Sequence, residues 1–340
     1  MNEQDSPGLD LAALRQYLDR EHPGLVSGPL TADVVQGGRS NLTYIVTDGS
    51  GRWVVRRPPL GHVLPTAHDM GREYRVISAL GGTAVPVPGA LSHCADTEVL
   101  GAPFYVMEYV AGIPYRTEDE LRALGEQRTR AIALSMVDTL VDLHAVDPSA
   151  VGLADFGKPD GFLERQLRRW HKQLDGSRSR DVPGIDQLHD RLRVKLPESP
   201  TPAVVHGDYR MDNLLLDSSD RITAVLDWEM STLGDPLTDL ALLVAYAERA
   251  TLDIEVVSNV SGAPGYPGTD EVVERYAARS GRDVSALDWY IGFAFFKLAV
   301  ILEGIHYRFS QGQTVGEGFD RIGAAVFPLV ERGNAVLGKG

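Results

Sequence analysis

The sequence predicts an α+β protein in which a small antiparallel sheet precedes a mostly helical region. Two observations support this fold class. In the N-terminal part, short β-branched runs are separated by turn signals such as Asp48-Gly49. Further along, apolar residues recur mainly at the helical period, apart from one strand-like stretch at residues 202–230. The length of 340 residues is enough for two such parts, and we divide the chain into residues 1–110 and 111–340.

The individual elements follow from local patterns. Leucines at helical spacing predict a helix over residues 9–20, and the runs TADVVQ, NLTYIVTD and GRWVVRR predict strands. The last two runs should form a hairpin, residues 67–80 a helix, and APFYVMEYV a buried strand. In the C-terminal part, helical patterns cover residues 117–146, 160–175, 235–249, 270–280, 285–308 and 316–337.

Composition limits the classes of function. The net charge of −14 disfavours nucleic acids and anionic membranes, because binding to them requires clustered Lys and Arg. The apolar run FAFFKLAVIL carries Lys297 and is far shorter than the roughly 20 residues that a membrane span requires. The single Cys94 and the polar N-terminus favour a reducing, cytoplasmic location. We therefore expect no nucleic-acid or membrane partner, and the sequence leaves the oligomeric state open.

The stretch PAVVHGDYRMDNLLLDSSDRITAVLDWEM places polar side chains between apolar runs. Two short strands joined by the turn SSD would form a hairpin, with Asn213 at the start of the first and Asp227 at the end of the second. Asp208 lies just upstream. Carboxylate and amide oxygens suit Mg²⁺, which shares its ligands with substrate phosphates. The pattern HGDYRMDN, from His206 to Asn213, matches the kinase catalytic-loop form H-x-D-x-x-x-x-N.

These motifs resemble those of the aminoglycoside phosphotransferase and choline-kinase-like family of small-molecule kinases. HGDYRMDNLLL and LDWEMSTLGDPLTDLA are the most specific markers, and the likeness runs from QGGRSNLTYIV to the last helices. Within the family, the chain most resembles the kinase-like domains found beside some acyl-CoA dehydrogenases. The resemblance implies a two-lobed protein-kinase-like fold. Residues 1–110 would be the nucleotide-binding lobe, and residues 111–340 would carry the catalytic loop and the acceptor pocket.

The resemblance also implies a role for each residue of the motif. Asp208 would accept or orient the proton of the acceptor hydroxyl, and Asn213 and Asp227 would hold Mg²⁺. His206 would brace the loop, and Asp239 would support it. A metal-hydrolase site built from His206, Asp208 and Asp227 is an alternative, but no paired His or Cys ligand spacing accompanies it.

The nucleotide would bind in the N-terminal part. The glycines of QGGRSNLTY allow backbone amides to approach phosphates, although a Gly-Gly hairpin turn is the simpler interpretation of that segment alone. The strand lysine of kinases has no counterpart here, since the first lysine of the chain is Lys158. The residues that we assign to the phosphate segment are Gly37, Gly38, Ser40 and Asn41.

Arg56 takes the place of the kinase lysine in the run WVVR. Strand alternation puts Val54 and Arg56 on one face, so Val54 would line the adenine slot and Arg56 would bind phosphate. Arg57 would then face solvent. Glu73 on the following helix is the natural ion-pair partner of Arg56. The hinge residues whose backbone groups would meet the adenine edge are Glu108 and Val110.

The sequence therefore predicts an ATP- or GTP-dependent, Mg²⁺-dependent O-phosphotransferase acting on a hydroxyl group of a small molecule. The replacement of lysine by Arg56 supports a second hypothesis, a nucleotide-binding pseudokinase that regulates a partner. A protein kinase fits less well, because DWE at Asp227 replaces the D-F-G motif and no A-P-E motif follows. The acceptor stays open among an aminoglycoside, an amino alcohol and a hydroxy-acyl compound. Lys297 is expected to be a charged side chain that escapes from an apolar helix to solvent.

Overall fold

The computed structural model describes most of the chain, and the residues that it describes are 7–35, 41–60, 68–249, 260–313 and 319–338. The chain forms two compact units. The first contains Met1–Gly112 together with Thr223–Ser231, and the second contains Ile113–Ile222 together with Thr232–Gly340. The segment Thr223–Ser231 therefore belongs to the first unit, whereas a single division at residue 110 would assign it to the helical part.

The first unit is built on a five-stranded antiparallel sheet. The strands, in the spatial order β1-β2-β3-β5-β4, are β1 (Thr31–Val34), β2 (Leu42–Thr47), β3 (Arg52–Arg57), β4 (Ala90–Cys94) and β5 (Phe104–Glu108). The predicted hairpin is formed by β2 and β3. In its turn, Gly49 has a φ of +89°, and Asp48 accepts the backbone N–H groups of Ser50 and Gly51. This local bonding explains why the sequence turns at this point.

Three helices accompany the sheet: α1 (Leu11–Glu21), α2 (Met70–Leu80) and α3 (Thr97–Leu100). The core of the unit forms where α1 packs on one face of the sheet. Residues two apart on a strand share a face, and such pairs from β2 and β5 join the α1 leucines in one buried cluster. Members of this cluster include Leu14, Leu18, Tyr44, Val46, Phe104 and Val106.

The second unit is mostly helical. Its helices are α4 (Glu118–Arg122), α5 (Glu126–Ala145), α6 (Phe162–Ser177), α7 (Ile185–Val194), α8 (Leu237–Glu248), α9 (Thr269–Ser280), α10 (Leu287–Ser310) and α11 (Phe319–Leu337). Its short strands are β6 (Ala203–Val205), β7 (Leu214–Leu216) and β9 (Thr232–Gly234), and β6 pairs with β9. Strand β8 (Ile222–Val225) begins at the last residue before the segment that belongs to the first unit. A hydrogen bond from the Asp217 N–H to the Arg221 carbonyl closes the predicted turn after β7.

The apolar run around Lys297 belongs to α10, which has 24 residues and is longer than the run itself. Among the described residues, α10 is the one helix long and apolar enough to cross a membrane, a test that core helices of soluble proteins also pass. In this protein 78% of its apolar window is buried within the chain. It packs on α6, α8 and α11, which makes it the central helix of the second unit.

The structure confirms the α+β class, with an antiparallel sheet followed by a mostly helical region. Two helical details differ from the prediction. The pattern over residues 117–146 corresponds to two helices, because Gly125 interrupts it with a φ of +85°. Helix α7 was not predicted, although its buried residues Ile185, Leu188 and Leu192 follow the helical period.

The prediction that Arg57 faces solvent was wrong, because its side chain is buried. It donates to the carbonyl of Leu100 at 2.8 Å and also to the carbonyl of Gly8. Strand β3 is an interior strand, and every residue after Arg52 is buried. Side-chain alternation therefore gives the face of a residue on β3 but not its exposure.

Candidate active site

The catalytic motif forms a loop between β6 and β7 in the second unit. Strand β6 ends at Val205, and a short 3-10 helix over Met211–Asn213 leads into β7. Gly207 has a φ of +84°, a left-handed conformation that glycine adopts without steric cost. His206 before this turn is fully buried, whereas the side chain of Asp208 after it is 30% exposed. The turn therefore carries the chain from a buried strand to an accessible carboxylate.

Asp239 on α8 fixes the backbone of this loop. Its two carboxylate oxygens accept the N–H groups of His206 at 2.6 Å and Gly207 at 2.8 Å. The ring Nδ1 of His206 accepts the backbone N–H of Asp208 at 3.2 Å. His206 and Asp239 thus contact the loop backbone rather than the accessible carboxylate.

A buried histidine completes the surroundings of Asp239. His144 Nε2 lies 3.3 Å from the Asp239 carboxylate, and His144 Nδ1 lies 2.7 Å from the hydroxyl of Tyr276. Burial lowers the pKa of His144, so the neutral ring donates through Nε2 and accepts through Nδ1. Burial alone would raise the pKa of Asp239, but the hydrogen bonds from His144 and from the loop backbone lower it. Asp239 is therefore held in its ionised form.

Tyr246 and Asn213 are among the side chains that contact Asp208. Tyr246 on α8 donates its hydroxyl to Asp208 Oδ1 at 2.5 Å. Asn213 donates Nδ2 to the backbone carbonyl of Asp208 at 2.9 Å and lies 3.4 Å from Oδ2. Since the amide nitrogen of Asn213 is engaged with Asp208, the amide oxygen is the atom available to another ligand.

Cationic side chains lie close to the same loop. Lys297 on α10 donates Nζ to the carbonyl of Gly207 at 2.7 Å and lies 5.5 Å from the ring centroid of Trp170. Burial lowers the pKa of Lys297, and the charge of Asp208 opposes that shift. Two arginines add to this positive charge. Arg210 Nε is 3.9 Å from Asp208 Oδ2, and the guanidinium of Arg249 is 4.6 Å from the centre of the Tyr246 ring.

Lys297 and Tyr246 were not predicted as site residues. Lys297 was expected to reach solvent, but it is half-buried and contacts the catalytic loop. A single lysine within FAFFKLAVIL was the available signal, since an ammonium group is costly to bury without a purpose. For Tyr246 the signal was its spacing of seven residues from Asp239, which places both on one face of a helix.

In the first unit, Arg56 on β3 pairs with carboxylates from two other segments. Its Nε is 3.2 Å from Oε2 of Glu73 on α2, and its Nη2 is 2.5 Å from Oδ1 of Asp227. Glu229 lies 4.0 Å from the same Nη2. Arg56 and Glu73 are only 9% and 1% exposed. The structure therefore brings together the residue that replaces the kinase lysine, its expected helix partner and an expected metal ligand.

Glu73 is the centre of a hydrogen-bond network. It accepts from the hydroxyl of Tyr105 and from Asn41 Nδ2, both at 3.0 Å. Asn41 Nδ2 also lies 3.2 Å from Glu229 Oε2. Burial raises the pKa of Glu73 to about 7, although the charge of Arg56 opposes this shift. The Glu73 carboxyl group therefore titrates near neutral pH.

Asp227, which follows β8, has a left-handed backbone conformation. Its φ is +66°, in the left-handed region that aspartate tolerates better than most residues. The buried Trp228 that follows donates its ring N–H to the carbonyl of Val225 at 2.9 Å, which anchors the segment. The Asp227 side chain is 30% exposed, and within the described residues its Oδ2 has no hydrogen bond. Asp227 thus presents one carboxylate oxygen to Arg56 and the other to solvent.

The residues expected to contact the nucleotide are described only in part. Val54 on β3 is 9% exposed, and the N–H of Glu108 donates to the carbonyl of Gly89 at 2.8 Å. No hydrogen bond within the described ranges involves the backbone of Val110. The predicted residues that lie outside the described ones are Gly37, Gly38 and Ser40.

The remaining predicted residues form two groups. The group in the second unit consists of His206, Asp208, Asn213 and Asp239, and the group in the first unit consists of Asn41, Arg56, Glu73 and Asp227. In the part of the chain that the structure describes, no three His, Cys, Asp or Glu side chains are arranged to hold a metal ion. His206 Nδ1 is engaged with the loop backbone. This nitrogen therefore cannot bind a metal ion while it accepts the loop N–H.

Comparison with known proteins gives a consistent picture. Residues 31–288 match the model of the phosphotransferase enzyme family. Acyl-CoA dehydrogenase family member 11 of Rattus norvegicus is 36% identical over 334 residues, and family member 10 of Mus musculus is 35% identical over 310 residues. These alignments cover 96% and 88% of this chain but 43% and 28% of the relatives. The chain therefore spans less than half the length of these curated relatives.

Solved structures share the fold. A protein from Ralstonia eutropha JMP134, provisionally named an aminoglycoside phosphotransferase, superposes with a TM-score of 0.85 at 32% identity, covering 97% of this chain and 98% of that one. A thermostable mutant of aminoglycoside phosphotransferase APH(4)-Ia, in complex with AMP-PNP and hygromycin B, gives a TM-score of 0.60 at 18% identity, covering 96% and 98%. At the lower identity, the likeness concerns the fold alone. The predicted resemblance to these groups and the kinase-like fold are confirmed.

Proposed function

Because this chain belongs to the phosphotransferase enzyme family, we propose that it is a small-molecule kinase. It transfers the terminal phosphoryl group of ATP or GTP to an acceptor hydroxyl with the help of Mg²⁺. The observation that carries this proposal is the catalytic loop, in which Asp208 projects from a backbone that Asp239 holds through two N–H groups. Phosphoryl transfer depends mainly on positioning and charge stabilisation, and a loop fixed by a buried carboxylate supplies such positioning.

Asp208 receives or orients the proton of the acceptor hydroxyl. Its Oδ1 already accepts a hydrogen bond from Tyr246, whereas the contacts of Oδ2 with Asn213 and Arg210 are long, at 3.4 and 3.9 Å. A positioned carboxylate of this kind typically contributes about 10²–10⁴-fold to the rate. Oδ2 is therefore the oxygen proposed to face the acceptor.

Asn213 and Asp227 are the proposed ligands of Mg²⁺. The donor chemistry fits, since Asn213 presents its amide oxygen and Asp227 presents a carboxylate oxygen, and both are hard oxygen ligands. Held by these two residues, Mg²⁺ would supply positive charge that stabilises the phosphoryl group during transfer. The contribution of this chain is to hold both donors in fixed positions, through the loop backbone at Asn213 and the anchored segment at Asp227.

The nucleotide is proposed to bind the first unit. Arg56 is a planar cation that can bind phosphate oxygens in a bidentate manner, and Glu73 orients it. Val54 lines the adenine slot, and backbone groups near Glu108 and Val110 meet the adenine edge. The phosphate segment proposed for this site consists of Gly37, Gly38, Ser40 and Asn41, and the choice between ATP and GTP is left to experiment.

The charges near Asp208 favour an acceptor that carries a negative group. Lys297, Arg210 and Arg249 all lie in this part of the second unit. Arg210 is paired with Asp212 at 2.7 Å, so Lys297 and Arg249 are the cations proposed to prefer an anionic acceptor over a polycationic aminoglycoside or an amino alcohol. Among the three acceptor classes that the sequence leaves open, a hydroxy-acyl compound with a carboxylate or phosphate group fits best.

A transfer screen tests the proposal. The protein is incubated with γ-labelled ATP or GTP, Mg²⁺ and a panel of aminoglycosides, choline-like amines and hydroxy-acyl compounds. Label should appear in at least one compound, most readily a hydroxy-acyl one. The Asp208→Asn variant, which keeps the size of the side chain and removes its charge, serves as control. Transfer that is equally fast in this variant, or no transfer to any compound, would contradict the proposal.

A pseudokinase is the second candidate, and one observation favours it. Arg56 is bonded to Asp227, so the proposed phosphate ligand and the proposed metal ligand engage each other. A protein that only senses nucleotide would tolerate this pairing. Thermal stabilisation by ATP together with no transfer across the panel would favour the sensor over the kinase.

A further inference from the structure

Helix α8 contacts the catalytic loop at two points, and the function proposed above uses the second contact only to tell the two oxygens of Asp208 apart. Asp239 binds the backbone of the loop, and Tyr246, seven residues later, binds the side chain of Asp208. We infer that Tyr246 is a positioning residue for Asp208, which engages Oδ1 and leaves Oδ2 to the acceptor hydroxyl. This inference rests on the proposed phosphotransferase function.

The geometry of the contact supports a positioning role. The hydroxyl of Tyr246 is 2.5 Å from Asp208 Oδ1, a length typical of an O–H donor on an ionised oxygen. The other neighbours of the carboxylate, Asn213 Nδ2 and Arg210 Nε, lie at 3.4 and 3.9 Å from Oδ2. Tyr246 therefore makes the shortest side-chain hydrogen bond of Asp208 among the described residues. Loss of its hydroxyl would leave the carboxylate free to rotate about χ2.

The Tyr246 ring is itself fixed in place. It belongs to a helix of 12 residues, and the guanidinium of Arg249 lies 4.6 Å from the ring centre, with that of Arg210 at 5.8 Å. Such cation–π contacts hold a ring against a cationic plane. A phenylalanine at this position would keep these contacts and lose the hydroxyl alone.

The titration of Tyr246 fits a permanent donor. Burial of the hydroxyl raises its pKa well above the usual value, and the charge of Asp208 raises it further. Tyr246 therefore keeps its proton across the physiological range. A donor that never ionises favours the charged form of the carboxylate that it contacts.

The experiment compares Tyr246→Phe with Tyr290→Phe. Tyr290 is a matched control because its buried hydroxyl donates to the carboxylate of Asp235 at 2.7 Å, so each variant removes one tyrosine hydroxyl from one aspartate. The first readout needs no acceptor. The carboxylate carbon of Asp208 is followed by NMR in protein labelled at aspartate, with Asp208→Asn used to assign the signal. In Tyr246→Phe the chemical shift of this carbon at fixed pH should change, and its relaxation should report faster rotation about χ2, because the hydrogen bond that holds Oδ1 is lost. In Tyr290→Phe neither should change.

The second readout is turnover of an acceptor found in the transfer screen. Tyr246→Phe should lower kcat by about 10–100-fold with little change in KM, because the acceptor still binds while Asp208 is less well oriented. An Asp208 signal that is unchanged in Tyr246→Phe, or that changes equally in Tyr290→Phe, overturns the inference. Phosphate found on Tyr246 after incubation with ATP overturns it as well, since the residue would then be an acceptor. If the Asp208 signal changes while the wild-type protein transfers phosphate to nothing, the contact is established and the proposed function fails alone.

Discussion

Arg56 and Asp227 form a direct ion pair of 2.5 Å in the first unit, although the sequence assigns one to phosphate and the other to Mg²⁺. The same guanidinium lies 3.2 Å from Glu73, which is almost fully buried. Arg56 thus forms ion pairs with two carboxylates that come from different segments of the chain. Its removal would leave a buried carboxylate without its nearest cation, so stability and nucleotide binding are expected to be linked at this residue.

A double-mutant cycle tests the pair of Arg56 and Glu73. Arg56→Met should lower the free energy of unfolding by about 3–5 kcal/mol, because it leaves the buried Glu73 uncompensated. Glu73→Gln alone should cost less, since the single amide oxygen keeps one of the two hydrogen bonds, from Tyr105 or from Asn41, and Arg56 keeps Asp227 as its partner. The double variant should be more stable than the sum of the two effects predicts.

Urea unfolding of the four proteins measures this coupling. The exposed pair of Arg122 and Glu118 provides the control, because such surface pairs contribute about 0–1 kcal/mol. Additive effects at Arg56 and Glu73, comparable with those of the control pair, would show that the buried ion pair contributes little.

The pH dependence of stability should carry a signature of Glu73. Its pKa is raised to about 7 in the folded protein, against roughly 4.3 in an unfolded chain. Between these values the folded state binds the extra proton, so the contribution of Glu73 to stability is present at low pH and is lost as the pH rises through 7. The total loss is at most roughly 4 kcal/mol.

Unfolding measured at pH 5 and pH 8 isolates this contribution. In the wild-type protein, Glu73 should lower the free energy of unfolding between pH 5 and pH 8. In Glu73→Gln this loss on going to pH 8 should be smaller. Glu303→Gln is the control, since Glu303 is another buried glutamate paired with an arginine, Arg180. A Glu73→Gln variant with an unchanged pH difference would contradict the raised pKa.

Much of the fold follows from the sequence because its signals are local. The hairpin of β2 and β3 is specified by alternation and by the Asp48-Gly49 turn, both of which lie within a few residues. The catalytic-loop motif fixes Asp208 and Asn213 in the same way, through spacing alone. Local signals of this kind do not depend on how distant segments of the chain pack.

The features that the sequence did not reveal depend on contacts between distant segments. Lys297 lies 90 residues from Gly207 along the chain, and Tyr246 lies 38 residues from Asp208. Arg57 is buried because both faces of an interior strand are covered, which no local pattern records. Contacts between distant residues depend on which segments pack together, and a single sequence carries no direct signal of that packing.

Asp227→Ala should abolish Mg²⁺-dependent turnover at least as completely as Asp208→Ala. Loss of a positioned carboxylate beside the acceptor costs about 10²–10⁴-fold. Loss of Asp227 removes a proposed metal ligand and also the partner of Arg56, so both charge stabilisation and phosphate positioning suffer. Turnover and nucleotide affinity are measured together, with Asp217→Ala, a turn residue outside the site, as control. Full activity of Asp227→Ala would remove its proposed role.

Asp239→Asn should loosen the catalytic loop without changing its composition. The ionised carboxylate accepts the N–H groups of His206 and Gly207 on separate oxygens, whereas an amide offers a single acceptor oxygen. One of the two loop amides therefore loses its partner. Hydrogen exchange at His206 or Gly207 should accelerate by about 10–100-fold, in proportion to a loss of about 1.5–3 kcal/mol for a hydrogen bond to a charged group. Unchanged protection at both amides would show that Asp239 does not fix the loop.

Lys297→Met should change the response of the enzyme to acceptor charge. Lys297 is a half-buried lysine next to the loop, held by the carbonyl of Gly207 and by the Trp170 ring. Methionine keeps most of the apolar contact and removes the charge. The KM for an anionic acceptor should rise about tenfold, which equals about 1.4 kcal/mol, while the KM for ATP should change little.

The exposed Lys172→Met on α6 is the matched control, because it alters the net charge equally at a site away from the loop. If KM rises only for anionic acceptors, and only in Lys297→Met, the cause is the loss of the local charge of Lys297. If both lysine variants raise KM alike, the effect is long-range electrostatic attraction, which added salt should abolish in each. If Lys297→Met instead lowers kcat for every acceptor, the lysine acts on the loop through Gly207, and the preference for anionic acceptors must come from Arg249.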